Sequence, residues 1–313
     1  MPCLPARLDL TAVTALAREQ DAAGLAEAFG FASWPALLAE VERRAILNAR
    51  DTATARARIA ADASWATRDL TGWCDHRGGA APLSYMAMLR FDAGRLGLTG
   101  PLEGTDEMAR LLLASGAPVD GAPGDRETPL MTAASYGDAD VARVLVEAGA
   151  DIDALAAPDA GGVPGGSALR HAAVFGMTDV VDCLVAAGAR IVSLPEAAAA
   201  GDISAWPIAE AAADERVRAL VMAADHERLT VIDELLAAGV PIDAVDPEWR
   251  GQALRTAAQH GRAAGVRHLL HRGADPTLKD DDGHTALTLC QEHRYEPGPG
   301  HDEVAAMLRA ATG

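Results

Sequence analysis

Apolar residues recur along this chain in short helix-length runs, each stopping at a glycine. The clearest case is Glu127-Thr128-Pro129-Leu130-Met131-Thr132-Ala133-Ala134-Ser135-Tyr136-Gly137, followed by Val141-Ala142-Arg143-Val144-Leu145-Val146-Glu147-Ala148-Gly149-Ala150-Asp151. The spacing predicts two short helices joined by a turn, because residues three and four apart share one helix face. The same ending returns in Ala114-Ser115-Gly116-Ala117, Ala186-Ala187-Gly188-Ala189, Ala237-Ala238-Gly239-Val240 and His271-Arg272-Gly273-Ala274. Gly116 to Gly149 is a step of 149 − 116 = 33 residues, a period that marks stacked helix-turn-helix units. About six such units are predicted between Trp73 and Ala310, the first and last degenerate, as end repeats tend to be.

These segments resemble the ankyrin-repeat family, whose pattern is Thr-Pro-Leu-His-x-Ala-Ala, a glycine, then Val-x-x-Leu-Leu-x-x-Gly-Ala-Asp. The unit opening at Thr128-Pro129-Leu130 matches almost throughout. Thr-Pro starts a helix by capping it and by fixing φ in its first turn; elsewhere it becomes Ser167-Ala168, Gln252-Ala253 and Thr285-Ala286. The histidine place holds Ser84, Met131, Arg170, Val221, Arg255 and Thr288. The resemblance implies an all-α fold, an ankyrin-repeat solenoid with a helical N-terminal cap. It also implies a non-catalytic binding module or scaffold that recognises a partner protein through a concave groove and its connecting fingers.

Ahead of the repeats the grain differs. Leu10-Thr11-Ala12-Val13-Thr14-Ala15-Leu16 has helical periodicity, and a helix is predicted from Trp34, entered through Ser33 with Pro35 in its first turn. Phe29-Gly30-Phe31-Ala32-Ser33-Trp34-Pro35 is similar to a leader of bacterial ankyrin-repeat proteins, which implies a cap and no chemistry. The expected organisation is a helical cap over 1–63 and a repeat domain over 64–313. Two insertions interrupt it. The finger at 154–166 is enlarged by glycine and proline, too rich in both for a helix. Residues 193–217 contain a further helix start and stop at Pro195 to Asp202 and a bend at Trp206-Pro207.

Half of the 313 residues are apolar but only 4% are aromatic, which suits short helices packed closely on alanine. The cysteines Cys3, Cys74, Cys183 and Cys290 lack paired spacing, and no charged-then-apolar leader opens the chain, so a reducing cytoplasm is expected. The formal net charge of −18 repels polyphosphate and anionic lipid, so neither nucleic acid nor membrane is an expected partner. A phosphate-cradling loop and a nucleophile elbow are both absent from the sequence. His268 with His271, and Cys290 with His293, are isolated pairs without zinc-finger spacing; neither a metal nor a cofactor is expected.

Candidate contact residues follow from helical register. The residue before Ala-Ala in each first helix and the two after it lie on one stripe. It reads Tyr85 with Met88 and Leu89, Thr132 with Ser135 and Tyr136, His171 with Val174 and Phe175, Met222 with Asp225 and His226, and Thr256 with Gln259 and His260. The fingers add His76 and Arg77, then Asp125, Arg126 and Glu127, then Glu248 and Trp249, and finally Asp281, Asp282 and His284. Duller roles stand beside these: packing for Tyr85 and Phe175, a satisfied helix imidazole for His171, a solvated turn for Asp281 and Asp282. In the binding reading Tyr136, Phe175 and Trp249 anchor a partner, and His76 and Arg77 select an acidic feature on it. The alternative is a small-molecule site, or an acid/base enzyme of isomerase, lyase or cyclase type, using His171, Asp225, His226 and Tyr136 in the groove.

Overall fold

The computed structural model describes residues 9–19, 21–70, 80–99, 102–292 and 299–312. These hold seventeen α-helices and, apart from two isolated antiparallel bridges, no β-pairing. The chain divides into two compact units, Met1–Ala168 and Leu169–Gly313.

The first unit opens with α1 (Leu10–Glu19), α2 (Ala22–Ala28), α3 (Trp34–Ala49) and α4 (Thr52–Ala61). Ser33 caps α3 by accepting the Ala36 N–H, as the sequence predicts. Val13, Leu25, Ala26, Leu37 and Val41 form a core of their own, with Phe29, Phe31 and Trp34 packed against it. Two helix pairs follow: α5 (Pro82–Leu96) with α6 (Thr105–Ala114), then α7 (Pro129–Tyr136) with α8 (Ala139–Glu147). Thr128 caps α7 on the Met131 N–H, and Asp138 caps α8 on the Val141 N–H.

The second unit holds α9 (Ala168–Val174) with α10 (Thr178–Ala186), the extra helix α11 (Leu194–Ala200), and α12 (Ala213–Asp225) with α13 (Leu229–Ala237). It ends with α14 (Ala253–Gln259) and α15 (Ala263–His271), then α16 (Ala286–Gln291) and α17 (Pro299–Thr312). The pairs pack chiefly through their first helices, α12 on α14 and α14 on α16, while α11 packs along α12. Fully buried alanines at 172, 223, 257 and 258 permit that close approach.

Six helix pairs therefore stand where about six units are expected. The glycine that ends each second helix has a local cause. Gly116, Gly149, Gly188, Gly239 and Gly273 all have φ between 84° and 94°, a left-handed conformation that side chains other than glycine's disfavour.

Candidate functional site

The extra helix α11 begins at a cap. Ser193 accepts the Glu196 N–H, and Glu196 Oε2 returns to accept the Val192 N–H at 2.8 Å, the reciprocal arrangement of a capping box displaced by one residue. Pro195 sits in the first turn, and Gly201 closes the helix at φ 95°. A Cβ there would meet Arg228 Cδ at 3.2 Å. Arg228 lies over this end and donates Nε to the Ala199 carbonyl at 2.8 Å. Glu215, in the first turn of α12, accepts the Leu194 N–H at 3.3 Å and ties the two helices together.

Opposite them, the finger at 245–252 is folded around one carboxylate. Asp246 Oδ1 accepts the N–H of Glu248 at 2.8 Å and of Trp249 at 3.2 Å, and the Val245–Gln252 bridge closes its base. Arg218 of α12 grips the finger: Nε reaches Asp246 Oδ2 at 2.6 Å, and Nη2 reaches Asp246 Oδ1 at 3.2 Å and Glu248 Oε2 at 2.6 Å. Its guanidinium lies 4.6 Å from the centre of the Trp249 ring, within cation–π range. Burial alone would raise the Asp246 carboxyl, but Arg218 and the two finger N–H groups outweigh it and hold it below its usual range.

Between these walls lies a pocket of about 260 Å³. Val174, Pro195, Met222 and Trp249 line it with apolar surface; Glu196, Glu215 and Arg170 are among its polar lining. Glu196 is only 3% exposed, and its Oε1 is buried without a hydrogen-bond partner among the described residues. Burial pushes this carboxyl up, against the opposing pull of the Val192 N–H and the Arg170 charge. A second recess of about 570 Å³ also includes Trp249 in its lining and is bounded by Thr256 and Gln259 of α14 and by the finger at 279–284. In that finger Asp280, Asp282 and His284 bring one oxygen or nitrogen each within 4.8 Å of one another. Asp280 Oδ1 is occupied by the N–H groups of Asp282 and His284, the geometry of a self-satisfied turn.

The sequence-derived residues fall into four groups. Trp249, Val174, Met222, Thr256 and Gln259 line the recesses; Trp249 and Phe175 are respectively 36% and 37% exposed. His76 and Arg77 lie outside the described residues. In the first unit, half-buried Tyr136 packs against exposed Phe91 with ring centres 4.9 Å apart and planes tilted by 44°, and exposed Arg126 pairs with Asp159 of the enlarged finger.

Tyr85, His171, Asp225 and His226 need correction: all four are buried, and none of them lines either recess. The Tyr85 hydroxyl donates to Asn48 on α3 and is pushed up to about 12, chiefly by burial. His226 Nε2 donates to the Ala173 carbonyl at 2.9 Å, so in the neutral ring Nδ1 accepts from the Thr178 hydroxyl at 3.0 Å. Asp225 Oδ1 accepts from His260 Nδ1 at 2.7 Å and from Arg262 Nε at 3.4 Å, while Arg262 Nη2 donates to the Gly176 carbonyl. Burial opposes ionisation of Asp225, yet His260, His226 and Arg262 together hold its carboxyl below the usual range. These groups fasten adjacent helix pairs. His171, Asp225 and His226 line neither recess.

Sequence reasoning missed Glu196, Arg170 and Arg218. A signal for the first was present: Ser193-Leu194-Pro195-Glu196-Ala197-Ala198-Ala199 aligns with Thr128-Pro129-Leu130-Met131-Thr132-Ala133-Ala134. Residues 193–201 are a first helix without its partner, and Glu196 occupies the consensus histidine place.

Comparison with known proteins gives the class. Family models described as ankyrin repeats in three copies and ankyrin repeats in many copies match residues 102–194 and 235–290. The chain is an ankyrin-repeat protein. It is 48% identical over 56 residues to an ankyrin repeat-containing protein of Treponema pallidum (strain Nichols), covering 18% of this chain and 19% of that one. It is 30% identical over 216 residues to the ankyrin repeat and KH domain-containing protein mask-1 of Caenorhabditis elegans, covering 66% of this chain and 8% of the relative. Human espin-like protein is 35% identical over 79 residues, 25% of this chain and 7% of the relative. The chain thus spans less than a fifth of the length of each of these relatives. Among solved structures, the human ASB11 ankyrin repeat domain has a TM-score of 0.34 at 22% identity, covering 75% of this chain and 99% of that one. No helix among the described residues is long and apolar enough to cross a membrane.

Proposed function

We propose that the chain is a protein-binding module that holds its partner through the second unit, with Trp249 as the anchor. Ankyrin repeats serve generally as interaction surfaces, and one observation gives the reading its location. Trp249 is 36% exposed, yet its finger is pinned by Asp246 and Arg218. A large aromatic ring held at the mouth of a recess loses little further freedom on binding, which is the character of an interface hot spot. Phe175, next to pocket-lining Val174, adds exposed apolar area. The helices before residue 64 serve as an end cap, shielding the repeats from solvent on one side.

The test takes a partner isolated by affinity capture and then purified. Trp249→Ala weakens the binary complex about tenfold or more, the usual cost of removing an anchoring aromatic, and leaves helix content by circular dichroism unchanged. Equal affinity of the two forms overturns the assignment.

A further inference from the structure

We propose that the pocket between α9, α11, α12 and the Trp249 finger receives one basic side chain, arginine or lysine, presented by the partner. The inference rests on the protein-binding reading and specifies what that surface selects. Size suits a single side chain: about 260 Å³ lies at the lower edge of the range, from roughly 300 Å³, that sites for free small molecules occupy.

Charge chooses among side chains. Glu196, Asp214 and Glu215 line the pocket against Arg170 and Arg218, an acidic excess of 3 − 2 = 1. Arg218 is already committed to Asp246 and Glu248, so it does not neutralise the three wall carboxylates. An acidic side chain would meet repulsion here. A purely apolar one would leave Glu196 Oε1 buried without a donor, a state that costs free energy. A guanidinium or ammonium supplies that donor as a charge-assisted hydrogen bond. Its methylene stem matches the wall of Val174, Pro195, Met222 and the Trp249 ring. The net charge of −18 draws basic segments toward the chain over longer range.

Peptides displayed on phage with every position randomised are selected against the full chain, and enriched sequences are made with a fluorescent label for polarisation titrations. The expected result is one position fixed as arginine or lysine. Replacing it with norleucine weakens binding about tenfold or more; Glu196→Gln does the same to the parent peptide, and the exposed Asp214→Lys weakens it as well. Should Glu196→Gln lose its melting transition, Asp214→Lys carries the test alone. Peptides that lose affinity with Trp249→Ala but fix an acidic or apolar residue at that position overturn the basic occupant and leave the binding module standing. Peptides indifferent to Trp249→Ala, or no enrichment at all, overturn both.

Discussion

The second unit contains two clusters in which an arginine meets a buried aspartate, one closed and one open. In the closed cluster Asp225 is 2% exposed, and its partners His260 and Arg262 come from the next helix pair. In the open cluster Arg218 meets Asp246 and Glu248 in a finger that raises an indole to solvent, beside a glutamate with one unmet oxygen. Residue type does not separate a recognition surface from a structural fastening. What separates them is whether the fold itself satisfies the donors and acceptors. Where it does, the cluster fixes how neighbours stack; where it leaves one atom over, a ligand can supply the missing partner.

The comparison breaks most sharply at Asp225. Asp225→Ala leaves Arg262 and His260 facing a hole, and the cost of breaking such a buried pair is about 3 kcal/mol or more. Urea denaturation should show it as a lowered midpoint, whereas a loss under about 1 kcal/mol would mean that the cluster does not fasten the helix pairs.

A smaller effect comes from protons. Burial holds the His226 imidazole below its ordinary value of 6.5, against the pull of Asp225 and the Ala173 carbonyl. A histidine with a lower pKa in the folded chain binds fewer protons there than when unfolded. Stability is then complete above 6.5 and falls as pH drops below it, by up to about 1.4 kcal/mol per unit. Asp225, also held low, adds its loss only below the ordinary carboxyl value of 3.8. Urea midpoints at about pH 7.5 and about pH 5.5 should differ in the native chain and converge in His226→Gln; equal midpoints in the native chain reject the closed cluster as a proton-linked element.

The smallest effect is expected at Arg126. Its pairing with Asp159 is exposed on both sides, and such pairs contribute little. Arg126→Ala should leave the melting temperature where it was; a clear drop would show that the enlarged finger is held by this contact.

How much of this was legible depends on whether the cause was local. The glycine at each helix end is required by its own φ, so Gly116 and Gly149 give the period directly. Trp249 stood out because an indole in a polar finger has no local reason to be there. The residues after Ala-Ala are different. His226 and Asp225 lie in register with Ser135 and Tyr136, but whether that register is open depends on which helix covers it, and α14 and α15 bring His260 and Arg262 onto Asp225. Glu196 was hidden because α11 lacks a second helix and its closing glycine motif, so residues 193–201 do not show the period of the full units. Arg218 had no signal in the pattern, because its role arises from a finger 28 residues away.

Trp249 borders both recesses of the second unit. Two occupants, one in each recess, would therefore meet at the same residue. A change at this one position alters the boundary of both.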